Sequence, residues 1–293
     1  FIEDVKSTTS VNINLNPNDT LIKLDAIKTS LQRGQIPIGE IRLGIYGNED
    51  PMYILAGLPF IAPDYSSAWL LKDVQMEYLQ EKFAKKGLMI LYTAPWPGQG
   101  FYTKFPVNSV SDFKGKKLRI YSTATQQMGS MLGFNATILP FAEIPQAFST
   151  GLIEALFTSP QTGIDIQAWD NTKHFTYAGA IFSKNAVVVT KKAFNALSKG
   201  DQSNMLAAAK KAELRGWEMS AETTKKQIGI LKKNGMSSKN APDEVISKMK
   251  SIGLEMMKNW RSKASPEANA VLDLSLIHIS EPTRLRRSSY AVF

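Results

Sequence analysis

One arginine in this chain stands where a charge is costly. The run Lys116-Lys117-Leu118-Arg119-Ile120-Tyr121 reads as a basic turn feeding a short apolar strand, with Arg119 inside the strand. Isolated buried charge is tolerated only when it is paired, so Arg119 calls for an anion. Other polar and aromatic residues have two readings each. Thr158, Ser159 and Gln161 precede Gly163 and serve either as a solvated turn or as hydrogen-bond donors. Trp96 and Tyr102 lie in Thr93-Ala94-Pro95-Trp96-Pro97-Gly98-Gln99-Gly100-Phe101-Tyr102, rich in aromatics, Pro and Gly, and are core rings or binding surface. Asn48 and Glu49 occupy the turn Gly47-Asn48-Glu49-Asp50-Pro51. His174 has no partner set in sequence and reads as structural; Trp169 reads as packing.

The elements that must hold Arg119 are regular. Apolar runs begin at Leu118, Ala136 and Glu154, 18 residues apart, with helix-like segments between them. That is a βαβαβ unit, which favours a parallel sheet covered on both faces. Before it, Val11-Asn12-Ile13-Asn14-Leu15 alternates like a half-buried strand. Asn18 or Asp19 is placed to cap a helix carrying Leu21, Leu24, Ile27 and Leu31, which Gly34 stops. Residues 36–45 read as a strand. Asp64 caps a longer helix that Gly87 ends, and residues 88–92 form a buried strand. Further on, Ala186-Val187-Val188-Val189-Thr190 is the most β-prone run. A helix of about 50 Å follows from Gly200-Asp201 to Lys233, and another covers residues 243–263.

Composition narrows the function classes. A length of 293 residues with 43% hydrophobic content suits two domains, each with its own core. There are no cysteines, which excludes disulfides and cysteine-based zinc or redox sites. No apolar run is long enough to span a bilayer. The chain starts at Phe1, and its N-terminus is expected to be cut, with the signal peptide and the first elements of the fold missing. Residues 274–293, including Leu276-Ile277-His278-Ile279-Ser280-Glu281-Pro282-Thr283-Arg284, look like translated sequencing adapter and are read as a non-native tail. Without Glu281, Arg284, Arg286 and Arg287 the formal charge falls from +9 to +7. The remaining basic residues are spread along helices as a solvated face, with no concentrated patch for nucleic acid. Gly-x-Ser-x-Gly, His-Glu-x-x-His and Walker motifs are missing, and Gly98-Gln99-Gly100 lacks the third glycine of a dinucleotide fingerprint. No cofactor, metal or catalytic residue is nominated.

The order of signals resembles the solute-binding proteins of tripartite ATP-independent periplasmic (TRAP) transporters, the DctP family. The matching pieces are Leu31-Gln32-Arg33-Gly34-Gln35, Leu58-Pro59-Phe60, Asp112-Phe113-Lys114-Gly115-Lys116-Lys117-Leu118-Arg119, Leu139-Pro140-Phe141-Ala142-Glu143 and Ala147-Phe148-Ser149-Thr150-Gly151-Leu152-Ile153-Glu154. Lys173-His174-Phe175 and the helix containing Trp217 extend it.

The resemblance implies a bilobed α/β periplasmic-binding-protein fold, its lobes joined by crossing strands and a long helix, with the ligand in the cleft. Lobe I is expected over 1–104 plus 183–225, and lobe II over 105–182 plus 226–273. The family's signature arginine falls on Arg119, which would grip a carboxylate; its planar fork matches one bidentately. The helix start near Thr123 to Thr125 would aim N–H groups at the same anion. Trp96, Tyr102, Thr158, Gln161 and Asn48 complete the expected ligand-binding set, with Trp96 and Tyr102 lining the cleft. The family's Asp-Gly-Gln-Glu-Asn-like run is here Glu154-Ala155-Leu156-Phe157-Thr158, with its asparagine replaced at Thr158, and the second arginine of some members is missing near Gly100-Phe101-Tyr102. The implied function is a periplasmic, monomeric receptor without a cofactor. It would bind a small organic acid, hand it to a membrane permease, and have no nucleic acid partner. The competing reading is an α/β enzyme acting on a small carboxylate in the same cleft.

Overall fold

The computed structural model describes residues 1–280. In chain order the chain forms helix α1 (Ile2–Thr8), α2 (Ile27–Gln32), strand β1 (Ile38–Arg42), α3 (Tyr65–Ala84), β2 (Leu88–Pro95), β3 (Gly100–Thr103) and β4 (Lys117–Ile120). There follow α4 (Thr123–Met131), β5 (Asn135–Ile138), α5 (Ile144–Ser149), β6 (Ala155–Thr158), α6 (Pro160–Asp165), β7 (His174–Tyr177), β8 (Lys184–Thr190) and α7 (Lys191–Asn195). The last elements are α8 (Lys199–Lys233), β9 (Ser237–Asn240), α9 (Asp243–Lys263) and α10 (Pro266–Ser280). Residues 274–280 of the expected tail continue α10, and residues 281–293 lie outside the described residues.

The chain divides into two compact units. The first comprises Phe1–Leu43, Met76–Pro95 and Lys184–Ser220; the second comprises Gly44–Gln75, Trp96–Ser183 and the described residues from Ala221 onward. Gly44–Gln75 thus belongs with the second unit, whereas the expected lobes grouped residues 1–104 together.

In the first unit β8 lies between β1 and β2, antiparallel to both. A core of Val5, Val189, Phe194, Met205 and Ala208 joins α1 and α8 to this sheet. Glu213 of α8 accepts hydrogen bonds from the Thr93 amide (2.9 Å) and hydroxyl (2.6 Å), and the Trp217 indole N–H reaches the same hydroxyl at 3.4 Å. Residues 11–17 form no strand. Asn12 and Asn16 instead donate to the Asn14 side chain and carbonyl, a local bonding that competes with a ladder, and Leu15 is left exposed. Asn18 and Asp19 do not cap a helix. Both take positive φ (55° and 59°) to make the turn, and α2 begins only at Ile27 without a side-chain cap.

The second unit holds a six-stranded sheet in the order β5-β4-β6-β3-β7-β9. The expected βαβαβ unit is present, with β4 parallel to both β5 and β6. β3 runs antiparallel between β6 and β7, so the sheet as a whole is mixed. Strand alternation gives each face its own core. On one face Phe101, Phe113, Phe134 and Phe157 pack with ring centroids 4.5–5.8 Å apart. On the other, Tyr102, Leu156 and Phe175 pack with Ile144, Ala147 and Phe148 of the α5 segment. Each such ring or aliphatic chain, fully buried, contributes about 1.5–3 kcal/mol, which fixes the register that carries the polar residues to the sheet's end.

Candidate functional site

The site is built at the C-terminal end of β4. Leu118 and Ile120 are fully buried and turn to the side where α4 packs, under Gly129. Alternation therefore sends Arg119 to the opposite face. Arg119 pairs in register with Leu156, so Thr158 lies two residues further along the neighbouring strand on that same face. Gly100 pairs with both Thr158 and Tyr177, bringing β3 and β7 to the same end of the sheet. Arg119, Thr158 and Tyr177 thus share one face and one end, the position where open α/β sheets bind ligands.

Arg119 is only 2% exposed, and its Nε donates to the Leu139 carbonyl at 3.1 Å. That bond fixes the plane of the guanidinium. Directly after β4, Ser122 caps α4: its hydroxyl accepts from the Thr125 amide at 3.2 Å, and the Thr125 hydroxyl accepts in turn from the Ser122 amide at 3.1 Å. This capping box holds the positive end of the helix close to the arginine in sequence. The loop carrying Asn48 comes to the same helix start, since a side chain on Gly47 would press on Ile54 and come within 3.5 Å of the Thr123 hydroxyl.

A buried polar relay braces this end of the sheet. Tyr121 Oη donates to Gln99 Oε1 at 2.7 Å, and Gln99 Nε2 donates to Ser183 Oγ at 3.1 Å. The Gln99 carbonyl accepts from the amides of Ala178 (3.2 Å) and Gly179 (2.9 Å), while the Trp96 amide donates to the Ser183 carbonyl at 2.8 Å. Burial, with Tyr65 alongside, pushes the Tyr177 phenol up to about 12, so it is neutral at ordinary pH.

The expected residues divide in two. Arg119 and Thr158 meet on one face, Thr158 being 6% exposed at the end of β6. Trp96 is half-buried in the strap beside the relay, and Asn48 is exposed in the loop against α4. Tyr102 requires correction: it does not line a surface but is wholly buried in the core, its hydroxyl donating to the Ser159 carbonyl at 3.2 Å. Burial first, and then Asp165, hold that phenol well above its usual pKa. Gln161 is engaged within its own unit, donating to Asp165 at 2.7 Å and accepting from Gln227 at 2.8 Å. Sequence reasoning passed over Gln99, Tyr121, Ser183 and Tyr177. Tyr121 carried a usable signal, since it closes the run that leads from Arg119 into the start of α4.

Residues 4–263 match the family described as "Bacterial extracellular solute-binding protein, family 7", DctP. The chain belongs to that family. Solved structures agree across nearly the whole chain. The DctP7 extracytoplasmic solute receptor of Bordetella pertussis, which binds pyroglutamic acid, is 36% identical with a TM-score of 0.91, over 94% of this chain and 92% of that one. Its DctP6 counterpart, which also binds pyroglutamic acid, gives the same values. A marine-metagenome TRAP solute binding protein specific for pyroglutamate is 32% identical with a TM-score of 0.89, covering 94% and 91% of the two chains. The expected α/β binding-protein fold is thereby shown, and with it an extracytoplasmic solute receptor. Among the described residues, no helix is long and apolar enough to cross a membrane.

Proposed function

We propose that this family 7 receptor captures a small organic acid at the β4 end of the second unit's sheet and delivers it to a TRAP permease. Arg119 anchors the ligand carboxylate through its Nη pair. Helix α4 adds its N-terminal dipole, and Thr158, Trp96 and Asn48 contribute from β6, the strap and the Gly47 loop. The observation that carries this reading is a guanidinium almost wholly removed from water, oriented by the Leu139 carbonyl, at the end of a strand that leads into a capped helix. A guanidinium presented in this way matches a planar anion bidentately. The three receptors of 32–36% identity bind pyroglutamate, which makes a compact cyclic amido acid the first ligand to try.

The receptor binds without turnover. Incubated with L-pyroglutamate and then denatured, the protein is expected to return the acid chemically unchanged by mass spectrometry and NMR. A stoichiometric or catalytic product would instead support the carboxylate-processing enzyme.

A further inference from the structure

Thr158 closes β6 and Tyr177 closes β7, and Gly100 of β3 stands in register between them. Thr158 is 6% exposed, and Tyr177 is half-buried against the core of Tyr102 and Phe175. Neither side-chain hydroxyl has a hydrogen-bond partner among the described residues. A hydroxyl drawn out of water and left unpaired is costly, so the pair is poised for a group that the fold itself does not supply. The sheet sets the span between them. Two strand spacings, about 9–10 Å, separate their backbones, and Gly100 raises no side chain in between. A Cβ there would come within 3.0 Å of the Phe175 ring, whose edge is therefore the floor. A Cβ at Gly98 would fall on the Tyr177 hydroxyl, so the strap passes this phenol without a side chain to cover it. Arg119 lies one strand beyond Thr158, on the same face and two residues deeper.

We infer that Tyr177 is a specificity-determining residue that, together with Thr158, donates hydrogen bonds to a second oxygen of the ligand, one small ring away from the acid held by Arg119. This rests on the carboxylate reading above and deepens it by naming the ligand class, a carboxylic acid that carries a ring carbonyl. A carbonyl oxygen has two lone pairs and takes a hydrogen from each hydroxyl, whereas a single N–H would satisfy one hydroxyl and leave the other unpaired. Burial, and then Tyr65, push the Tyr177 phenol up to about 12, so it keeps its hydrogen to give.

Isothermal titration of the full chain with 3-oxocyclopentane-1-carboxylate and with cyclopentanecarboxylate tests this. The two acids share the carboxylate and differ at one ring position, C=O against CH2. The unaltered receptor is expected to favour the keto acid by roughly 10- to 100-fold, the worth of two hydrogen bonds. Tyr177→Phe and Thr158→Val each remove one donor with little change of shape. Each should cut that ratio by roughly three- to tenfold while leaving the affinity for cyclopentanecarboxylate in place, and Thr158→Ser, which keeps a hydroxyl, should retain the ratio. Equal binding of the two acids by the unaltered receptor overturns the inference. So does a ratio that survives both Tyr177→Phe and Thr158→Val, or a loss that falls equally on both acids, since a loosened fold would weaken them alike. If in those cases binding is still lost in Arg119→Ala, the carboxylate reading stands without the inference. Binding of neither acid overturns the inference as well, and if L-pyroglutamate also fails to bind, the carboxylate reading falls with it.

Discussion

A guanidinium at 2% exposure has lost most of its water, and what replaces that water decides what the site holds. Lysine at this position would keep the charge but not the two parallel donors, and its Nζ could not bond Leu139 while presenting a fork to the ligand. Arg119→Lys is accordingly expected to weaken acid binding by roughly tenfold or more, the loss of one charge-assisted hydrogen bond. Titration calorimetry measures it, and undiminished affinity would mean that a point charge suffices. Asp112 works at the same scale in a structural role. Its carboxylate accepts the amides of Asn108 at 2.7 Å and Ser109 at 2.9 Å, and those bonds, in that order, hold its pKa below the usual carboxylate value. A depressed folded-state pKa stabilises above the unfolded value of 3.8 and loses that contribution as pH falls through the folded one. Asp112→Ala should therefore cost about 1 kcal/mol near neutrality, and its urea midpoint should approach that of the parent as pH drops below 4. A difference that stays constant with pH would assign the effect to packing.

At the scale of elements, the strap from Trp96 to Gly100 decides how β3 enters the sheet. A Cβ at Gly100 would fall on the Thr176 carbonyl oxygen and within 2.9 Å of the Tyr177 Cα, both backbone atoms that cannot swing aside. Gly100→Ala should cost roughly 1–3 kcal/mol by overpacking, read as a lower melting temperature. An unchanged melting temperature would show that β3 and β7 are not so tightly joined. How far the elements could be read beforehand follows from where their information lies. The runs at Leu118, Ala136 and Glu154 became β4, β5 and β6 because their apolar residues answer to one sheet, and α9 kept the bounds that its periodicity and Gly/Pro punctuation set. Val11 to Leu15 failed because the asparagines bond locally, Asn12 to the Asn14 side chain and Asn16 to the Asn14 carbonyl, and no partner strand came to pair. β9, a run of Ser, Lys and Asn, is a strand only because β7 offers it an edge. The site divides on the same line. Arg119 was legible as a charge inside a strand. Gln99 and Ser183 were not, because their meaning comes from a hydrogen bond spanning 84 residues of sequence.

For the whole molecule, the family assignment covers residues 4–263, and three solved receptors superpose over more than nine-tenths of the chain. The function of a solute receptor is a difference in free energy between the empty and the loaded state. That difference appears as stability, because a ligand bound only by the folded chain raises the melting temperature by mass action, adding about 2.7 kcal/mol at a hundredfold excess over Kd. The most direct test is a thermal melt of the chain and of Arg119→Ala, each with and without a saturating organic acid, beginning with L-pyroglutamate. The account predicts a clear upward shift for the unaltered chain, and for the variant a similar unliganded melting temperature with no shift. An equal shift in both proteins would contradict it, because the acid would then be held somewhere other than at Arg119.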